Sequence, residues 1–481
     1  MTIEEQLRAN AIQNPEKAAL IGSDTEMTYS QLWDYCLMTA HKLQKEFGIQ
    51  KGDRVILAAA GSIEFVYVYF GVHIAGGIAV PIDPDTNQTR FNYIKASTKP
   101  KCVIGQLHKV EDKTIDLEQV VATEGEKATF TSPDENDIAD ILFTTGTTGA
   151  PKGVALSYKN HTAAAWQINT FIGNTAEDVE LLALPVSHSF GLGRVRCVLS
   201  KGGTLVMLGT FANMKRFFKE MKEHQVTGFG MVPASWGFIK KMSGKYIGKF
   251  ADQLKYIEIG SSFMPIEEKQ LLMELLPKTR ICMHYGLTEA SRSAFMEFHA
   301  EADNLMTAGQ ASPGVEIGIF SPEGKRLDIG EEGEVCVKGD HVCCNYWNET
   351  PERFANDFYD GYFRTGDAGT MNEKGYIYLK SRIKEMINVG GKKVSPMEVE
   401  DILNTIPGIE ESACVGIPDP DGVMGEVVKA YIVCNDENLT DKEITAKLMP
   451  KLELYKLPVQ IEKIKEIPKT SSGKIQRLKL K

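Results

Sequence analysis

The stretch ADILFTTGTTGAPKG occupies residues 139–153. Its glycines let the backbone curl so that successive N–H groups point at one anion. Its threonine hydroxyls add donors, and Lys152 adds a positive charge. The apolar run ADILF directly before it puts the loop at the C-terminal end of a strand, the edge at which α/β sheets bind ligands. The Walker A pattern G-x-x-x-x-G-K-[ST] does not fit. Counting from Gly146, the second glycine position holds Pro151, and Gly153 follows Lys152 where a hydroxyl is needed. The stretch is therefore a phosphate cradle of another kind or a plain surface turn, and the rest of the chain decides between them.

A chain of 481 residues is too long for one core, so two or more domains are expected. With 43% hydrophobic and 25% charged residues it has the balance of a soluble globular protein. A net charge of −10 argues against a broad nucleic-acid surface, which needs a basic face. The start, MTIEEQLRANAIQNPEK, lacks a basic segment followed by an apolar one, so no secretory signal is read. The longest apolar run, VYVYFGVHIAGGIAVPI (66–82), is broken by His73, glycines and Pro81. It reads as a core helix followed by a buried strand, not a membrane span. The nine cysteines are scattered without a CxxC pair, the pattern of reduced thiols in a cytoplasmic protein without a cysteine metal site.

Helical and strand patterns alternate along most of the chain, which predicts an α/β fold with layered sheets. EEQLRANAIQNP and MTYSQLWDYCLMTAHKLQKEFG read as amphipathic helices, the second started by Thr28 or Ser30. RVILAAA, DILFTTG, GGTLVML and YIEIGS read as strands. From residue 375 the character changes. The basic segment GYIYLKSRIKEMINVGGKKVSP is followed by helix, strand, strand and helix. A large N-terminal domain (1–382) and a small α+β C-terminal domain (383–481) are expected.

TTGTTGAPKG resembles the phosphate loop of the AMP-forming acyl-adenylate enzymes: acyl-CoA synthetases, amino-acid adenylation domains and luciferases. YGLTE (285–289), GEVCVKGDHVCCNYW (333–347), GYFRTGD (361–367), SRIKEMINVGGKKVSP (381–396) and PKTSSGKIQR (468–477) match further segments of that family in its order. GDRVILAAAGSIEFVYVYFGVHIAGGIAVPIDP also looks like it, so the resemblance covers nearly the whole chain.

The resemblance implies that a carboxylic acid is activated by ATP to an acyl-adenylate with loss of pyrophosphate, then passed to a thiol. By this resemblance Thr144, Thr145, Gly146, Thr147, Thr148, Gly149 and Lys152 hold the β- and γ-phosphates. Thr288 bonds the α-phosphate, and Glu289 helps bind Mg²⁺, a hard cation that prefers oxygen. Tyr285, with Gly286 after it, stacks on adenine, and Gly260, Ser261 and Ser262 line the base pocket. In isolation Glu289 would read as a solvated charge and Tyr285 as a core aromatic. Asp367 takes the ribose hydroxyls, and Arg382 lies near the ribose and phosphates, although Ser381 stands where the family more often has glycine. Lys474 bridges the carboxylate and α-phosphate. Lys384 matches the hinge about which the small domain rotates between half-reactions. Gly390 and Gly391 line a pantetheine path. Asn388 stands where some relatives carry a further lysine, so that role is not carried over.

LPVSHSFGLG (184–193) resembles the segment that opens the acid pocket, with His188 near the carboxylate. An amino-acid-activating domain would carry Phe-Asp here; Ser189, Phe190 and Gly191 favour an acyl or aryl acid. Arg194 and Arg196 lie about 200° apart on a helix, so only one is expected to face inward. Arg194, Arg196, Arg292 and Trp236 are weak candidates for the acid pocket, each also readable as a surface or core residue. No carrier-protein domain follows Lys481 in this sequence, so an external acceptor is expected. CoA and a separate acyl carrier protein both offer a pantetheine thiol. A silent nucleotide-binding relative, or an ATPase releasing ADP, stands as the alternative of another class.

Overall fold

The computed structural model describes residues 1–121, 124–144, 151–262, 264–390, 392–420, 424–436, 439–470 and 474–480. They fall into two compact units. Met1–Thr144, Pro151–Glu316 and Val337–Asp357 belong to the first; Ile317–Cys336 and the chain from Phe358 onward belong to the second. The division expected at 382/383 lies inside the second unit, where Tyr362–Met371 pairs with Ile377–Arg382 in one sheet.

The first unit contains a nine-stranded and a six-stranded sheet. In the larger, Arg280–Tyr285, Tyr256–Ile259, Gly228–Met231, Val179–Leu182 and Thr204–Met207 run parallel, side by side in that order. Their C-terminal ends therefore share one edge. In the smaller, Arg54–Ala58, Ile78–Ile82 and Ile138–Phe143 are parallel, and Gly153–Ser157 runs antiparallel to Ile138–Phe143.

Helix Ile63–Ile74 is buried at every residue except Glu64, as its largely apolar sequence requires. Its start is capped by Ser62, which accepts from the Phe65 N–H at 3.3 Å. Thr28, not Ser30, caps Tyr29–Lys45. Helix Ser189–Lys201 is buried from Phe190 to Ser200 because it runs between the two sheets. Arg194 reaches carboxylates on the nine-stranded sheet, and Arg196 reaches one on the six-stranded sheet. No helix among the described residues is long and apolar enough to cross a membrane.

In the second unit, strands Ile409–Pro418, Glu426–Cys434 and Gln460–Lys463 form a sheet buried on both faces. Cys414, Val428 and Ile432 pack against Val399, Leu403, Ile444 and Leu448 from helices Pro396–Leu403 and Asp441–Leu448. Ala413 and Val415, one residue either side, face the other way and cluster with Ile467 and Leu480. That second cluster fixes the C-terminal segment to the back of the sheet.

Candidate active site

Four loops leave the shared C-terminal edge of the nine-stranded sheet in the first unit. After Val179–Leu182 comes His188, in extended backbone (φ −115°, ψ 152°) immediately before helix Ser189–Lys201. After Gly228–Met231 comes the start of helix Pro233–Ser243. After Tyr256–Ile259 come Gly260, Ser261 and Ser262. After Arg280–Tyr285, which ends on Tyr285, come Gly286, Thr288 and Glu289. Ile259 and Met283 are paired across neighbouring strands, so the last two loops emerge side by side.

Both loops are sterically tight. A Cβ on Gly260 would fall 2.1 Å from the His284 ring, and one on Gly286 would fall 2.4 Å from the Arg292 backbone nitrogen. Ser261 and Arg292 hold φ of +76° and +55°, a conformation that non-glycine residues adopt at a cost. Gly260 and Gly286 must be glycine because neighbouring protein atoms fill the space where a side chain would stand.

On the six-stranded sheet, Phe143 pairs with Gly153, and the Thr144 N–H donates to the Lys152 carbonyl at 3.0 Å. The threonine–glycine stretch is thus the connection of an antiparallel hairpin. A Walker A loop runs from strand into helix, so the failed pattern match has a structural reason. Thr145, Gly146, Thr147, Thr148 and Gly149 lie outside the described residues. Arg90, from helix Gln88–Thr98, donates to the carbonyls of Phe143 at 3.1 Å and Thr144 at 3.3 Å. It holds the start of the loop, and nothing in its sequence setting signals this.

Tyr346 was likewise invisible in the sequence. The Lys152 ammonium sits 4.0 Å from the centroid of its ring, and its hydroxyl donates to Glu289 Oε1 at 3.0 Å. Burial, with the Glu289 carboxylate beside it, pushes the Tyr346 phenol up, so it remains a donor. The Cys343 N–H donates to the Glu289 carbonyl at 2.7 Å, which ties the same segment to the YGLTE loop. Glu289 offers hard oxygen at a half-buried position, a donor that suits Mg²⁺.

The three arginines named as acid-pocket candidates are committed elsewhere. Arg194 is fully buried, donating to Glu180 Oε1 at 2.8 Å and Glu258 Oε2 at 3.2 Å. Arg292 donates to Glu258 Oε1 at 3.0 Å and to the carbonyls of Ser189 and Phe190, both at 3.1 Å. Burial opposes the Glu258 charge, but Arg292 and His284 outweigh it and hold that carboxyl below the usual carboxylate range. Arg196 donates to Asp140 Oδ2 at 2.8 Å. A substrate carboxylate would add charge to clusters already balanced. Arg194 and Arg196 do point from opposite faces of the helix, but neither is a surface arginine, because each face meets buried carboxylates of a different sheet. Trp236 is 2% exposed, and its Nε1 donates to Glu268 at 2.7 Å, the role of a core aromatic. Arg292 also has a use that its sequence setting did not reveal. It links the loop carrying Thr288 and Glu289 to the helix that follows His188.

The second unit groups another set of residues. Asp367 and Arg382 are direct cross-strand partners, and Arg382 Nε lies 2.9 Å from Asp367 Oδ1. Arg382 also donates to the Thr365 carbonyl at 2.7 Å. Lys384 lies in the 3₁₀ turn Ile383–Glu385 that follows. Gly390 has φ +57°, and its N–H donates to the Met424 carbonyl at 2.8 Å; Gly391 lies outside the described residues. The Asn388 N–H donates to Glu426 Oε2 at 2.9 Å.

Lys474 lies in a hairpin-like turn. The Thr470 N–H donates to its carbonyl at 2.8 Å, and its own N–H donates to Thr470 Oγ1 at 3.1 Å. Three residues on, Arg477 donates to both Glu400 oxygens at 2.7 Å and to Glu385 Oε2 at 2.8 Å.

A connection rich in threonine and glycine on one sheet, with a half-buried carboxylate and positive-φ residues in the loops that leave a parallel sheet on the other, suits a nucleotide-binding enzyme. The AMP-binding enzyme family matches residues 7–347, and the AMP-binding enzyme C-terminal domain matches 398–474. The chain belongs to this family. It is 29% identical to FadD13, a long-chain-fatty-acid–CoA ligase of Mycobacterium tuberculosis, over 99% of this chain and 97% of that one. It is 30% identical to ScoC, a fatty acid–[acyl-carrier-protein] ligase of Streptomyces coeruleorubidus, over 100% and 96%. Among solved structures it is similar to o-succinylbenzoate CoA synthetase (MenE) of Bacillus subtilis in complex with the acyl-adenylate OSB-AMP. That match has a TM-score of 0.89 at 25% identity, covering 99% of this chain and 97% of that one.

Proposed function

We infer that this protein is an AMP-forming acid–thiol ligase that uses ATP, Mg²⁺ and an external pantetheine thiol, with CoA as the acceptor. The observation that carries the reading is the Lys152–Tyr346–Glu289 arrangement beside the hairpin loop. One tyrosine there touches both a cation and a hard carboxylate, the pair of groups that a magnesium triphosphate calls for.

A carboxylate is a poor acyl donor because its leaving group would be oxide. In the first half-reaction a carboxylate oxygen attacks the α-phosphorus, the bond to the β-phosphate oxygen breaks, and pyrophosphate leaves. The acyl-adenylate now has AMP as its leaving group. In the second half-reaction the thiol sulfur attacks the acyl carbon, AMP departs, and the thiol proton is released.

The first transition state brings two anions together, so positive charge and fixed donors must be in place beforehand. In this reading Lys474 supplies the charge between carboxylate and α-phosphate, and Thr288 donates to the α-phosphate. Lys152 and the loop donors receive the pyrophosphate, and His188 stands at the carboxylate. Glu289 would hold Mg²⁺, which would supply neutralisation of the phosphate charge. Tyr285 and Gly260–Ser262 take the adenine, and Asp367 the ribose, with Arg382 fixing the Asp367 carboxylate. Lys384 is the hinge between the two half-reactions, and Gly390 and Gly391 leave room for the pantetheine arm. Arg194, Arg196, Arg292 and Trp236 have no place at the acid.

The test is product analysis with ATP, Mg²⁺ and a panel of aliphatic and aryl acids, with and without CoA or a pantetheinylated carrier protein. AMP and pyrophosphate are expected only with particular acids, and turnover is expected to require CoA. Turnover with the carrier protein alone would move the acceptor to that class; ADP as sole nucleotide product would sink the reading. Asp367→Ala is expected to raise the KM for ATP about 10- to 100-fold, the worth of hydrogen bonds to a charged group. An unchanged KM would remove the ribose role.

A further inference from the structure

Tyr346 lies on the two-residue strand Asn345–Tyr346, which pairs with Ala155 and Val154 just after the hairpin loop. The strand is short, but its flanks are fastened. The Trp347 N–H donates to the Gly153 carbonyl at 2.7 Å, and Trp347 Nε1 donates to the Ser97 carbonyl at 3.1 Å. On the other side Asn160 Nδ2 donates to the carbonyls of Asp340 and Val342, both at 2.8 Å. Tyr346 is 7% exposed, with its ring edge-on to Phe354 at 5.6 Å. A side chain held so firmly and in contact with two opposite charges has more to do than fill space.

An ammonium and a carboxylate this close to one residue attract each other. Direct pairing would withdraw both from a phosphate and a cation. Tyrosine prevents this with two different surfaces: the negative ring face takes Lys152, and the hydroxyl takes one oxygen of Glu289.

We propose that Tyr346 is a positioning residue that keeps Lys152 and Glu289 apart and presents them to the magnesium pyrophosphate end of ATP. The proposal rests on the ligase reading above. It concerns only the groups that meet pyrophosphate, so it separates the two half-reactions.

Tyr346→Phe keeps the ring and removes the hydrogen bond to Glu289; Tyr346→Leu removes both contacts. Binding of magnesium pyrophosphate to the full-length protein is measured by calorimetry. Conversion of synthetic acyl-adenylate and thiol to thioester is measured alongside. Tyr346→Phe is expected to weaken binding about 3- to 10-fold, and Tyr346→Leu about 30-fold. Thioester formation from acyl-adenylate is expected to stay within about 2-fold in both, since no pyrophosphate is present. Unchanged binding in both variants, or an equal loss in the thioester assay, would overturn the proposal. Failure of the unmodified protein to bind magnesium pyrophosphate, or to form thioester from any acyl-adenylate tried, would instead overturn the ligase reading and take this proposal with it.

Discussion

Lys474→Ala is expected to slow acid-dependent ATP–pyrophosphate exchange by about 10²- to 10³-fold, the effect of removing one preorganised charge from a transition state. The loss should fall on kcat, because the charge matters most when carboxylate and α-phosphate share one oxygen. The structure explains how one flexible side chain could be delivered accurately. Its backbone is closed by two hydrogen bonds to Thr470. Ile467 before it and Leu480 after it are buried against Ala413 and Val415. Arg477 fastens the following turn to Glu400 and Glu385. The described residues on either side of Lys474 are thus anchored to the small sheet, so the lysine moves with that sheet as one body. Thioester formation from synthetic acyl-adenylate should survive the substitution, because that step no longer joins two anions. Exchange within about 3-fold of the unmodified protein would remove Lys474 from the chemistry.

The second large effect is on stability. Asp140 is fully buried and meets four side chains. It accepts from Tyr69 at 2.9 Å and Arg196 at 2.8 Å, and lies 3.0 Å from His73 Nε2 and 3.2 Å from His161 Nε2. Glu4 closes the other side of His73, 2.8 Å from its Nδ1. Asp140→Asn leaves Arg196 and His73 with less compensating charge in the core. It is expected to cost about 3–5 kcal/mol, the range for breaking a buried pair from one side, measured by urea unfolding. A cost below about 1 kcal/mol would show that the cluster relaxes or admits water.

The same cluster predicts a pH optimum. For His73, burial lowers the imidazole, but hydrogen bonds to Asp140 and Glu4 outweigh it and raise it to about 9. Its folded value lies above the ordinary one, so its stabilisation is complete below about pH 6.5 and is lost as pH rises to about 9. For His161, burial and then Arg196 lower the imidazole to about 4. Its contribution is complete above about pH 6.5 and is lost as pH falls towards 4. Unfolding midpoints should therefore peak between the two limbs. In Asp140→Asn the alkaline limb should flatten, because His73 has lost one of its two carboxylate partners. An alkaline limb unchanged in that variant would exclude His73 as its source.

Much of this was written in the sequence. The order of TTGTTGAPKG, YGLTE, GYFRTGD and PKTSSGKIQR determined the family and the class of reaction. Each motif packs its donors and glycines into consecutive residues, so its chemistry survives in a one-dimensional reading. Periodicity likewise determined the buried helix Ile63–Ile74 and the strands Arg54–Ala58 and Tyr256–Ile259, whose apolar patterns allow few other environments. The Walker A mismatch at Pro151 and Gly153 set this loop apart from the common P-loop, but the hairpin itself was shown only by the pairing of Phe143 with Gly153.

What only the tertiary structure decided is what each side chain faces. Arg194 and Arg196 looked like one inward and one outward residue, because a helix on a protein surface has one buried face. Ser189–Lys201 runs between two sheets and has no solvent face, so both arginines needed carboxylates, and Glu180, Glu258 and Asp140 supply them. Arg90 and Tyr346 lie far along the chain from the groups they hold. Their roles arise from strand pairing and helix packing, which bring distant segments together, and no local pattern of residues records such an encounter.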